Sequence, residues 1–208
     1  MQFKDSGGGS FEQPPIGTHV ARCVKMIDIG TQKGEYQGTA TFKRQVIIGW
    51  ELPSELMTTG DHAGKPFVVS KFYTASLSEK ANLRADLKNW RGRDFTTEEL
   101  GGFEAKNILG KTCMLSLTES DKGKIRVTGV MALPKGTQVP DQINPTLYFS
   151  LEHGEFDPAI YEALSDGYKK MINVSPEYQE RTNPSMGAPQ ASSGGGGSFD
   201  DFEDDIQF

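Results

Sequence analysis

The chain has 208 residues, of which 36% are apolar, with 24 Gly and 11 Pro, a composition that fits one modest domain flanked by tails. Its net charge of −6 is unevenly placed: residues 16–140 carry 18 Lys and Arg against 13 Asp and Glu, residues 141–198 carry 3 against 8, and residues 199–208 carry none against 5. A basic body inside an acidic chain keeps a nucleic-acid partner open, because partners meet local fields rather than averages.

Only Cys23 and Cys113 are present and they stand far apart, which excludes a disulfide scaffold and a cysteine zinc cluster and fits a reducing cytoplasm. No apolar run approaches the roughly 20 residues of a membrane span, and the start MQFKDSGGGS lacks the apolar stretch of a signal peptide. A soluble protein is expected.

In chain order, residues 1–15 are polar and glycine-rich and read as a flexible arm; the string GGGSF at 7–11 recurs at 195–199. Residues 16–30 (IGTHVARCVKMIDIG) alternate between two faces and read as a strand closed by glycines. Residues 41–51 and 66–74, rich in β-branched and aromatic side chains, give a second and a third strand. A helix follows, opened by a Ser76–Glu79 capping box, with Leu83, Leu87 and Trp90 on one face and Gly92 as its stop. A second capping box, Thr96–Glu99, marks a helical turn. Residues 111–118 and 124–132 are two further strands joined by a turn at Ser120–Gly123.

The order β-β-β-α-β-β predicts a mainly β fold: a five-stranded OB-fold barrel over residues 16–140 with one helix between strands 3 and 4. An SH3-like barrel has no helix there, and a ferredoxin-like fold needs two crossover helices. Residues 141–178 read as an extension whose short helix, 158–172, packs on the barrel, with Gly167 as its expected interruption. Residues 179–198 read as a disordered Gly/Pro/Ser linker and 199–208 as an acidic tip.

OB barrels bind oligonucleotides on the face of strands 2 and 3 and in the loops joining strands 1 to 2 and 4 to 5. Strand 2 offers Phe42, Lys43, Arg44 and Trp50, and strand 3 offers Lys71, Phe72 and Tyr73. The loop expected at 31–39 adds Lys33 and Tyr36, and the region around the second turn adds Lys122, Lys124 and Arg126. Cations beside aromatics suit a strand-tracking groove, since the cation neutralises phosphate while the ring stacks on any base. Phe42 and Trp50 share a side with Val46 and Ile48, where core packing competes with base stacking. Tyr73 shares a face with Lys71 and is preferred over Phe72 for DNA. Arg91 and Arg93, around the glycine that ends the helix, suit either phosphate contact or capping of the helix dipole.

Catalytic signatures are absent: His19, His62 and His153 stand alone, and no Cys-x-x-Cys or phosphate-loop string occurs. Neither an enzyme nor a cofactor is expected. The end of the chain, FDDFEDDIQF, interleaves apolar side chains with acids, which solubility alone does not require. Asp204, Asp205, Ile206 and Phe208 form a tip able to dock into an apolar pocket rimmed by Arg or Lys.

This tip resembles that of bacterial single-stranded DNA-binding proteins, with Gln207 where that family has proline. The body is similar to phage-encoded single-stranded DNA-binding proteins in the strings LSEKANLRADLKNWRGRDF (77–95), NILGKTCML (107–115) and LPKG (133–136). The resemblance implies an OB fold and sequence-tolerant coating of single-stranded DNA during phage replication or recombination in the cytoplasm of a bacterial host. It also implies recruitment of host replication and repair proteins through the tip. A protein-interaction adaptor and an annealing or recombination mediator are the alternatives, and the oligomeric state is open, a homodimer included.

Overall fold

The computed structural model describes residues 12–182. Most of the expected N-terminal arm, residues 183–198 of the linker, and the tip with Asp204, Asp205, Ile206 and Phe208 lie outside the described residues.

Strands β1 (Gly17–Tyr36) and β2 (Thr39–Leu56) form one long antiparallel hairpin. The stretch expected as a loop instead continues the ladder until Tyr36 stands opposite Thr39. The chain reverses through Gln37 and Gly38, whose φ values of 49° and 76° define the two-residue turn that matches strand twist. Two bulges, after Cys23 and after Asp28, bend β1.

Strand β3 (Pro66–Thr74) pairs with β2, while β4 (Thr112–Glu119) pairs with the first part of β1 and β5 (Ile125–Met131) with β4. The antiparallel path runs β3-β2-β1-β4-β5. A short strand not expected from the sequence, β6 (Leu147–Phe149), runs parallel to Lys25–Ile27 on the edge of β1 that β4 leaves. The sheet is mainly antiparallel and is not closed by its ladder: no hydrogen-bonded register joins β3 to β5 among the described residues. Helix α1 (Asn82–Arg91) spans the two edges instead. Its Asp86 accepts from Lys71 Nζ and Tyr73 Oη of β3, and its Asn89 carbonyl accepts from the Ala132 amide just beyond β5.

The expected Ser76–Glu79 capping box does not form, because α1 begins later, after Ala81, and Ser76 Oγ accepts from the Ser78 amide instead. The Thr96–Glu99 box does form, at the start of α2 (Thr97–Gly101). The single helix expected at 158–172 is two, α3 (Pro158–Ala163) and α4 (Asp166–Asn173), separated by extended backbone at Leu164. Gly167 lies inside α4 and is not the break. Helix α5 (Pro176–Thr182) takes residues expected to start the linker.

The sheet is buried on both faces where β1 and β2 pair, which is why VIIGW reads as a continuous apolar run. On one face Met26, Ile48, Trp50, Leu115 and Val130 pack under α1, with Trp50 and Trp90 rings 6.1 Å apart. On the other, Ile27, Ile29 and Ile47 pack against Phe149, Leu164, Met171 and Ile172. Gly30 permits this second layer to approach: at φ 71°, a Cβ there would lie 2.5 Å from the Ser175 Cβ. Glu177 then ties α5 to β1, accepting from Thr31 N at 2.8 Å and Thr31 Oγ1 at 2.6 Å.

Candidate nucleic-acid interface

The outer part of the β1–β2 hairpin is a two-stranded ribbon, since the β2–β3 ladder ends with Gln45 opposite Thr74. Its register puts Lys33 directly across from Phe42, with Lys43 on the opposite face together with Tyr36. Both rings stand in solvent, Tyr36 at 67% and Phe42 at 66% exposure. A large aromatic exposed to this degree is available to stack, and each has a lysine on its own side of the ribbon.

Beside the base of the ribbon, the end of β3 and the turn before α1 enclose a cleft of about 540 Å³. Lys43 and Lys80 both line it, together with Gln45, Thr74, Ser76, Ser78 and Asn82, and the Phe72 ring forms part of its wall. Among the described residues no carboxylate lines this cleft. The chain reaches this arrangement because β3 stops at Thr74 and the Ser76–Lys80 turn folds back, its Ala81 amide donating to the Ser78 carbonyl at 2.9 Å. Two exposed ammonium groups among hydroxyl donors suit a phosphate, because a phosphate oxygen accepts from both kinds of group and no carboxylate is among the described lining residues.

Several residues nominated from the sequence are engaged elsewhere. Trp50 is 1% exposed, packed in the core with its ring tilted against that of Trp90, and cannot meet a base. Tyr73 is 3% exposed and its hydroxyl donates to Asp86 at 2.7 Å; it shares a face with Lys71 as the alternation requires, but that face lies under α1. Lys71 is bonded to the same Asp86 carboxylate at 2.8 Å. Arg44 lies at the rim of the inner face and is held by Asp28, with Glu152 3.7 Å away. Arg91 and Arg93 converge on Glu99, the residue that closes the α2 capping box. Hydrogen bonds from Arg93, then from the Thr96 amide and Arg91, hold the Glu99 carboxyl well below its usual range, at about 2. These arginines therefore brace α2 against the end of α1.

Lys122, Lys124 and Arg126 lie around the β4–β5 turn, at the opposite end of β1 from Tyr36. Gln13 anchors that region, its side chain donating to the Gly123 carbonyl at 3.0 Å and accepting from the Ile125 amide at 2.9 Å. The next residue back, Glu12, accepts from the backbone and hydroxyls of Thr58 and Thr59, so residues 12 and 13 lace the β2–β3 and β4–β5 connections together. The other nominated cations form two groups: Lys33 and Lys43 with Tyr36 at the ribbon, and Lys122, Lys124 and Arg126 at the far turn.

Sequence reasoning missed Lys80, the hydroxyls of Ser76 and Ser78, and the exposure of Phe42. The available signal was the run SLSEK between a strand and a helix, a lysine amid small polar residues. Among the described residues no group of three or more His, Cys, Asp or Glu side chains is placed to hold a metal ion, and no helix is long and apolar enough to cross a membrane. No protein-family model matches the chain, and no curated protein matches it.

Proposed function

We propose that the protein binds single-stranded DNA without sequence preference, coats it during phage replication or recombination in a bacterial host, and recruits host replication and repair proteins through its C-terminal tip. The observation that carries this reading is the cleft bearing Lys43 and Lys80, without a carboxylate among its described lining residues, beside a ribbon that exposes Tyr36 and Phe42. Cations track phosphates and rings stack on bases of any identity, which together suit a flexible single strand better than a rigid duplex. The strand path β3-β2-β1-β4-β5, with a helix between β3 and β4 spanning its two edges, supports an OB-type barrel. The resemblance of residues 77–95 and of the tip to single-stranded DNA-binding proteins supports the same reading. The tip sequence FDDFEDDIQF supports a division of labour, in which the body holds DNA and the tail holds partners.

Gel filtration of the full chain with and without labelled oligo-dT tests this: the label co-elutes with the protein, and an equal amount of duplex does not displace it. Equal retention of duplex, or no co-elution, contradicts the proposal. Tip-dependent capture of host proteins without any DNA binding would favour an adaptor.

A further inference from the structure

The cationic cleft adjoins a second, apolar groove. Its volume is about 270 Å³; Met26 and Ile48 of the sheet and Leu83 and Leu87 of α1 form its floor, while Phe103 and Tyr148 supply aromatic walls. Ser76 lines both the cleft and the groove, so the two are continuous across that residue. We propose that the groove accepts one unpaired nucleobase, seating a single nucleotide with its phosphate on Lys43 and Lys80 and its base between Phe103 and Tyr148. This rests on the single-stranded DNA reading above and adds to it a defined base site inside the body of the protein.

Size, polarity and charge point to the same occupant. The groove is smaller than the roughly 300–1,000 Å³ of drug-sized sites and suits one flat ring system. Two polar groups of its rim are bonded internally. Asp28 accepts from the Gly30 and Leu151 amides and from Arg44, while Ser150 Oγ accepts from the Glu152 amide. With Asp28 and Ser150 so engaged and the rest of the lining mostly apolar, the groove favours base shape and stacking surface over base identity, in keeping with sequence-tolerant binding. A nucleotide joins a charged phosphate to an apolar ring within one residue, which is the pairing that these two contiguous surfaces present.

Ala105 is exposed at the groove margin and away from both lysines, so Ala105→Trp fills the groove from outside. In the full chain this variant is expected to bind oligo-dT about tenfold more weakly, the loss of one stacked base, with the salt dependence of binding unchanged. A second reading moves one abasic residue along a short oligo-dT: the wild-type chain binds about tenfold more weakly when the gap meets the groove, a position-specific loss that Ala105→Trp no longer shows, whereas losses at bases stacked on Tyr36 and Phe42 persist in that variant. Unchanged affinity in Ala105→Trp, or the same loss at every abasic position, overturns base insertion and leaves the DNA-binding reading standing. Absence of any oligo-dT binding by the wild-type chain overturns both.

Discussion

Lys43, just beyond the last β2–β3 pair, and Lys80, in the turn before α1, open onto one cleft that no carboxylate of the described residues lines. The nominated cations Arg44, Lys71, Arg91 and Arg93 are each bridged to Asp or Glu, which leaves the Lys43–Lys80 pairing better placed than these four to seat an external phosphate. Replacing both lysines by alanine is expected to lower oligo-dT affinity and to reduce the steepness of its salt dependence by about 0.7 for each phosphate that is no longer neutralised. Because both side chains are exposed, thermal unfolding should be unchanged. Titrations at several salt concentrations check the first expectation, and calorimetry the second.

Trp50 and Phe42 lie on the same strand and the same side, yet one is 1% exposed and the other 66%. Trp50→Ala should cost about 3–5 kcal/mol of stability, as large-to-small changes of buried aromatics do. Phe42→Ala and Tyr36→Ala should leave the urea midpoint unchanged and weaken oligo-dT binding by about 1–3 kcal/mol each. Equilibrium unfolding and DNA titration of the three variants separate the two roles.

Burial lowers the Lys25 ammonium to about 7, from the ordinary lysine value near 10.5. Its Nζ lies 3.3 Å from Tyr168 Oη beneath α4, and folding favours its neutral form. Between those two values the unfolded chain binds the extra proton, so the contribution of Lys25 to stability falls as pH drops from about 10.5 to about 7 and then levels off. Lys25→Met removes the penalty. The variant should match the parent near pH 10.5 and exceed it by on the order of 4 kcal/mol below pH 7, as read by urea denaturation across pH.

Gly30→Ala forces a side chain into the left-handed φ of 71° and against Ser175. A loss of about 3 kcal/mol is expected. Hydrogen exchange should show α5 and the Thr31 amide, which donates to Glu177, opening before the β1–β2 core.

Strand positions and the helix between β3 and β4 were legible in the sequence because alternation and the Leu83, Leu87, Trp90 spacing are local signals. Period-2 reading also placed Lys71 and Tyr73 together on one face. What it could not supply was whether another element covers that face, and α1 does, through Asp86. The same gap hid Lys80, which reaches the cleft only because β3 stops at Thr74 and the following turn folds back. The strand extending to Tyr36 was hidden because Gly34 and Gly38 read as loop, whereas only the second makes the turn. Breakage of the 158–172 helix depended on Leu164 entering the apolar layer in extended backbone, a tertiary demand that helical spacing does not encode.

Fluorescence anisotropy of a labelled oligo-dT, titrated with the full chain and with its Lys43→Ala, Lys80→Ala variant across a salt series, decides whether the cleft holds the strand. Tight binding by the parent that weakens steeply with salt, together with a shallower slope and weaker binding in the variant, is the predicted result. An identical affinity and slope in parent and variant would show that the cleft does not hold the strand, and would contradict the account.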